Sequence, residues 1–270
     1  MIPDSILYGL SRIKGLRTLL FKRSIPRRVR YGLWTRPAYA YGVYQAADLA
    51  VRLGLPAISV VELGVAGGRG LLALEQIASE IGSYFGIQVS VFGFDAGRGL
   101  PPPADYRDVP HVWEGGFYEM DEAKLRARLK HATLVLGNVG ETIPEFVGSK
   151  EFPPIGFIAF DLDYYSSTMA AFNLFVGPAH LHLPRVYCYF DNLMWPDLAC
   201  HNEYIGELCA IRDFNLEHEL QKISPIYGLR YRMPHLGEWT ELIYVFHDFA
   251  HPLYTRHITA RRPGDTSIPL

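Results

Sequence analysis

From residue 39 to residue 246 the apolar positions switch between a helical and a strand-like period. Apolar residues at helical spacing over 39–54 predict an amphipathic helix, and the short β-branched run Ile58–Leu63, ending in glycines, predicts a strand. Gly68–Ile81 reads as the helix that follows it and Val89–Phe94 as a second strand. The stretch AGRGLPPPADYRDVP over 96–110 is too rich in Gly and Pro for regular structure. Beyond it the pattern predicts a helix over Glu122–Lys130, a strand over Thr133–Leu136, a short helix over Ile143–Val147 and an apolar strand over Ile155–Phe160. A helix over Ser167–Phe175, a strand over Val186–Phe190 and a helix over 199–214 come next, and two aromatic strands, Pro225–Tyr231 and Thr240–Phe246, close the series.

Strands and helices alternating at this spacing imply βαβ units, hence a doubly wound α/β fold with a mostly parallel sheet covered on both faces. The seven predicted strands end in a pair joined by a connection too short for a crossover helix, so that pair is expected to be antiparallel and to form one edge. Ligands of such sheets bind beyond the carboxyl ends of the strands, near the point where the strand order reverses. The strand ends are therefore where chemistry is expected.

Composition narrows the class. Of 270 residues, 49% are hydrophobic and 20% charged, with a formal net charge of −2, which excludes disorder and a protein defined by bulk affinity for nucleic acid. No apolar run approaches the roughly 20 residues of a membrane span. The first residues mix cations among apolar positions, unlike a cleavable signal. The three cysteines, Cys188, Cys200 and Cys209, lack metal-type spacing and read as free thiols of a cytoplasmic protein. Charge is nevertheless uneven: residues 1–36 hold nine of the 26 cations and one of the 28 acids, +8 against −10 for the rest. Ile6, Leu10, Ile13, Leu16 and Leu20 recur at helical spacing, so residues 1–38 are expected to form a basic helical extension to a domain spanning 39–270. The plainer reading is a helix packed on its own domain or on a second subunit, which would favour a homo-oligomer. The sharper one is peripheral contact with an anionic surface.

The first strand ends Glu62-Leu63-Gly64-Val65-Ala66-Gly67-Gly68 and the second ends in Asp95. Glycines permit a tight turn and a ligand against bare backbone, and the absence of a GK[ST] ending argues against a triphosphate cradle. Glu62 suits a ligand with a cationic amino group, and Asp95 could accept both hydroxyls of a ribose. A Gly-rich turn alone also fits simple helix-on-strand packing. Later strands end Asp161-Leu162-Asp163 and Asp191-Asn192. Neighbouring strands lie about 5 Å apart, so Asp161, Asp191 and Asn192 could offer hard oxygens to one Mg²⁺, leaving Asp163 as a general base. Ser166, Ser167 and Thr168 read as helix N-caps. Trp113, Phe117, Tyr118 and Trp195 are candidates for an acceptor wall or lid, with His111 beside them; the paired histidines 180/182 and 247/251 lack a third ligand in register for zinc.

ELGVAGGRG, FGFD, GNVGETIP, FDLDYYSST and FDN together resemble the class I S-adenosylmethionine-dependent methyltransferases, and among them the metal-dependent sugar O-methyltransferases typified by macrocin O-methyltransferase. The likeness covers about residues 40–215. It implies a Rossmann-like sheet and S-adenosylmethionine held by Glu62, Gly64, Ala66, Gly68 and Asp95, with Asn138 near the adenine. It also implies Mg²⁺ on Asp161, Asp191 and Asn192, and Asp163 as the base in methylation of a hydroxyl on a sugar-containing, polyol or phenolic small molecule. Ala66 replaces a glycine common in relatives, and the Asp-Asn pair is instead similar to catechol O-methyltransferase, which leaves the acceptor class open. A nicotinamide-dependent oxidoreductase would account for the Gly loop and Asp95 without the acid cluster, and a non-catalytic binding protein would need no Asp163.

Overall fold

The computed structural model describes residues 24–149, 151–235 and 237–259; the predicted leader helix, in its part over 1–23, lies outside them. The helices are α1 (Ile25–Arg30), α2 (Pro37–Leu53), α3 (Arg69–Phe85), α4 (Glu122–Arg126), α5 (Val139–Ser149), α6 (Tyr165–Ala171), α7 (Gly206–Glu217) and α8 (Leu229–Arg232). The strands are β1 (Ala57–Leu63), β2 (Gln88–Asp95), β3 (Thr133–Leu136), β4 (Ile155–Phe160), β5 (His182–Phe190), β6 (Gln221–Pro225) and β7 (Ile243–Asp248). They form one seven-stranded sheet in the order β3-β2-β1-β4-β5-β7-β6. The first five run parallel, and β7 inserts antiparallel between β5 and β6. This is the doubly wound sheet with an antiparallel edge pair that the alternation predicts. Among the described residues no helix is long and apolar enough to cross a membrane.

Helices α1, α2 and α3 pack together on one face, and α5, α6 and α7 on the other. Strand β4 is buried along its whole length, as expected for a central parallel strand. Its Phe160 stacks on Phe190 of β5 at 4.6 Å, and Phe175 stacks on Phe246 of β7 at 4.0 Å. Each such ring contributes roughly 2–3 kcal/mol through burial. Val29 and Trp34, which precede α2, belong to the same core.

Several predicted elements shift. The strand expected over Pro225–Tyr231 ends at Pro225, which brings no N–H to a ladder; Gly228 at φ 73° then opens the turn α8, whose Tyr231 faces solvent, as does Tyr227. The helix expected from 199 begins only at Gly206, after the 3₁₀ turn Asp197–Ala199. Helix α5 starts at Val139, placing Pro144 inside it. Nor do Ser166, Ser167 and Thr168 cap α6. Asp108, 58 residues upstream of Ser166, accepts from that residue's backbone N–H and its hydroxyl, both at 2.8 Å, while the Thr168 hydroxyl donates back to the Tyr164 carbonyl. The Gly/Pro loop is thereby pinned to α6, and Asp108 is buried in the joint.

Candidate active site

The parallel register brings the carboxyl ends of four strands into line: Phe94 pairs with Leu63, Leu63 with Phe160, and Phe160 with Phe190. One further hydrogen bond extends each pairing, from the amides of Gly64, Asp161 and Asp191 to the carbonyls of Phe94, Leu63 and Phe160. The residues that follow line a cavity of about 1150 Å³, among them Glu62, Gly64, Ala66, Asp95, Asn138, Asp161, Asp163, Asp191 and Asn192. Gly68 stands behind this wall, where a Cβ would lie 2.2 Å from Leu125.

Glu62 is buried, and its Oε1 accepts a 2.8 Å hydrogen bond from the Tyr39 hydroxyl of α2. Its Oε2 is buried with no partner. Burial pushes the Glu62 carboxyl up to about 8, against the Tyr39 hydrogen bond and the Arg36 charge. Gly70 is required here, since a Cβ would sit 1.7 Å from Glu62 Oε1, and Gly64 is required because a Cβ would meet the Asp161 carbonyl at 1.8 Å. Close packing thus explains these glycines. Asp95 binds the same loop, accepting the amides of Val65 and Ala66 on one oxygen and that of Gly97 on the other. Asn138 accepts from the Gly140 amide and so caps α5.

Ala66 adopts φ 42°, in the left-handed region that costs an L-residue roughly 1–2 kcal/mol. Ala66→Gly should therefore stabilise the protein by about 1 kcal/mol after the added freedom of the unfolded chain is deducted, a rise in melting temperature of about 2 °C by calorimetry. An unchanged or lower melting temperature would show that the alanine is unstrained.

Across the cavity, Asp163 is buried at the centre of a tight turn, with φ 59° and the Tyr164 amide donating to the Leu162 carbonyl at 2.5 Å. Asn192 Nδ2 donates to Asp163 Oδ1 at 2.9 Å, while Asn192 Oδ1 is buried without a partner. The Tyr189 hydroxyl donates to Asp191 Oδ1. Burial and the Asp191 charge push Asp163 up to about 7, and the same causes hold Asp161 well above the carboxylate range. Among the described residues no three Asp, Glu, His or Cys side chains converge as ligands of one ion; the expected set is two carboxylates and an amide oxygen.

Three contributors escaped the sequence reading. Tyr39 looks like any core aromatic of an amphipathic helix, yet it holds Glu62 and packs edge-on against Tyr189 at 5.4 Å, joining the two halves of the site. Arg36 lines the cavity beside it. Glu207, on α7, is fully buried; its Oε2 accepts the Asn192 amide at 3.0 Å and its Oε1 has no partner. Its only signal in the sequence is an acid on the apolar face of a helix.

Of the aromatic candidates, Tyr118 and Trp195 are half exposed and line the cavity. Trp113 lines it too but is buried against Val109, Tyr164 and Ala199, so it is part of a small core rather than an exposed platform. Phe117 and His111 are exposed and do not line the cavity.

The strand order and the antiparallel β7 give the chain a Rossmann-like fold shared with a solved methyltransferase. No protein-family model matches the sequence, and no curated protein matches it significantly. Among solved structures, the calicheamicin methyltransferase CalS11 is similar over 90% of each chain, with 18% identity and a TM-score of 0.51. The O-methyltransferase TomG from Streptomyces achromogenes, with S-adenosylmethionine, is similar over 88% of this chain and 96% of that one, with 11% identity and a TM-score of 0.43. The likeness to CalS11 establishes the fold.

Proposed function

We propose that the protein is an S-adenosylmethionine-dependent O-methyltransferase acting on a hydroxyl of a small sugar-containing, polyol or phenolic acceptor. The observation that carries this reading is the unpartnered Glu62 Oε2 beside a cavity whose lining also holds an acid cluster. A nicotinamide-dependent oxidoreductase would leave both without a role.

S-adenosylmethionine supplies a methyl group activated on a sulfonium. Glu62 would hold its ammonium, and Asp95, whose Oδ2 already accepts two amides of the glycine loop, would retain a lone pair on Oδ1 for a ribose hydroxyl. Asn138 borders the adenine side from the cap of α5. The donor chemistry of the cluster also fits a divalent cation: Asn192 Oδ1 is an orphaned hard oxygen, and Asp161 stands beside Asp191, a repulsion that the Arg36 charge only partly offsets. Asp161, Asp191 and Asn192 would hold Mg²⁺, which lowers the pKa of an acceptor hydroxyl and fixes its position. Asp163 accepts the hydroxyl proton on a carboxylate oxygen, oriented by Asn192 Nδ2. Glu207 fixes the Asn192 backbone from behind, while Tyr118 and Trp195 exclude water and seat the acceptor. A cytoplasmic location, and contact of residues 1–36 with a second subunit or an anionic surface, complete the proposal.

Calorimetric titration with S-adenosylhomocysteine, S-adenosylmethionine and NADH, with Mg²⁺ and again with EDTA, tests it. Micromolar binding of the first two and none of NADH is expected. NADH binding alone, or no binding at all, would overturn the cofactor assignment.

A further inference from the structure

Arg36 is the last cation of the basic leader and occupies the N-cap position of α2, immediately before Pro37. Its guanidinium lies 5.4 Å from the centre of the Tyr39 ring, whose hydroxyl donates to Glu62 Oε1. It is half-buried and lines the cavity. Arginines such as Arg28, Arg52 and Arg107 are each paired with an acid, whereas Arg36 has no salt bridge among the described residues. Burial opposes its charge, and the oxygens of Tyr39, Glu62 and Asp161 more than compensate.

We propose that Arg36 binds the α-carboxylate of the cofactor's methionine arm while Glu62 binds its ammonium, the two side chains forming one clamp for a zwitterion. The inference rests on the S-adenosylmethionine reading and adds a recognition element to it. Both charges of an α-amino acid sit on one carbon, so a site that receives the ammonium at Glu62 must meet the carboxylate nearby. The surroundings are otherwise hostile to an anion, because Asp95, Asp161 and Asp191 border the same cavity. The glycine loop has few amides to offer: Gly64 and Gly68 donate to backbone carbonyls, and Val65 and Ala66 to Asp95. Arg36 is the cation adjacent to Glu62, and its planar fork matches a carboxylate. Arg69 and Arg98 also line the cavity but are exposed.

The test compares S-adenosylhomocysteine with its decarboxylated analogue, which keeps the amine, by calorimetric titration of the full chain. Wild-type protein should prefer S-adenosylhomocysteine by roughly 10–100-fold, the range of charge-assisted hydrogen bonding. Arg36→Gln should abolish that preference while binding the analogue as wild type does, so the analogue also reports that the site is folded. Arg36→Lys should keep part of the preference. Retained preference in Arg36→Gln, equal loss of both ligands, or loss of the preference only in Arg69→Gln would each overturn the clamp. Failure of the wild-type protein to bind either ligand would overturn the cofactor assignment itself, and the clamp with it.

Discussion

Glu62→Gln should weaken S-adenosylhomocysteine binding by roughly 100-fold or more, because removing one partner of a buried charge pair costs about 3 kcal/mol or above. The substitution is nearly isosteric and leaves an oxygen to accept the Tyr39 hydroxyl, so the 2.8 Å bond that positions the side chain has a replacement. What is lost is the anion. In the free protein burial pushes the Glu62 carboxyl up to about 8, with Asp95 and Asp191 adding to the effect, so at pH 7 it is mostly protonated. An incoming ammonium selects the ionised form, and wild-type binding at pH 7 should release a proton, seen as an enthalpy that varies with the ionisation heat of the buffer. Glu62→Gln should show less release. The sign for stability follows from the same shift. Between the ordinary value of 4.5 and about 8 the folded protein holds a proton that the unfolded chain has lost, so Glu62 makes stability fall as pH rises through that window and level off above it. Ligand-free Glu62→Gln should lose this contribution and melt higher than wild type near pH 8. Equal affinity of variant and wild type would remove Glu62 from the cofactor site.

The parts of this site that were legible in the sequence are those carried by strand ends. A buried parallel strand is a short β-branched or aromatic run, so β1, β2 and β4 are visible within about a residue, and the acids just past them fall into line once the strands pair. What pairs with those acids was not legible. Tyr39 and Glu62 are 23 residues apart, Asn192 and Glu207 15, and Asp108 and Ser166 58. Each contact is made by helix or loop packing that has no local period. Local signals also misled where they were strongest. Three hydroxyl residues at a helix start read as caps, but Asp108 takes that role from another loop. Aromatic Tyr227 and Tyr231 read as strand, but they stand 87% and 82% exposed beyond a proline that ends it. The glycines show the reverse case. Gly64 and Gly70 mark the turn after β1 by position, while the need for glycine there arises from the Asp161 carbonyl and the Glu62 carboxyl behind it.

Asp163→Asn should lower kcat for methyl transfer by about 10²–10⁴-fold, the usual contribution of a positioned general base, with S-adenosylhomocysteine affinity little changed. The backbone makes this substitution unusually clean. Asp163 sits at φ 59° in a tight turn, and asparagine tolerates that region at least as well, so the fold should not suffer. The amide oxygen can still accept from Asn192 Nδ2, which keeps the side chain oriented. The negative charge and the capacity to take a proton disappear together. A strained backbone persists where the surrounding structure determines it, and such residues gather at functional sites. Here the turn is fixed by β4 on one side and by the start of α6, itself held by Asp108, on the other. Asp161, two residues earlier, points the comparison: Asp161→Asn removes a charge from the proposed ion set and should change the Mg²⁺ concentration required for turnover, whereas Asp163→Asn should lower the maximal rate at every Mg²⁺ concentration. Full activity in Asp163→Asn would eliminate it as the base, and the proton would then have to leave through another group of the same cluster, with Asp191, whose charge already acts on Asp163, next in line.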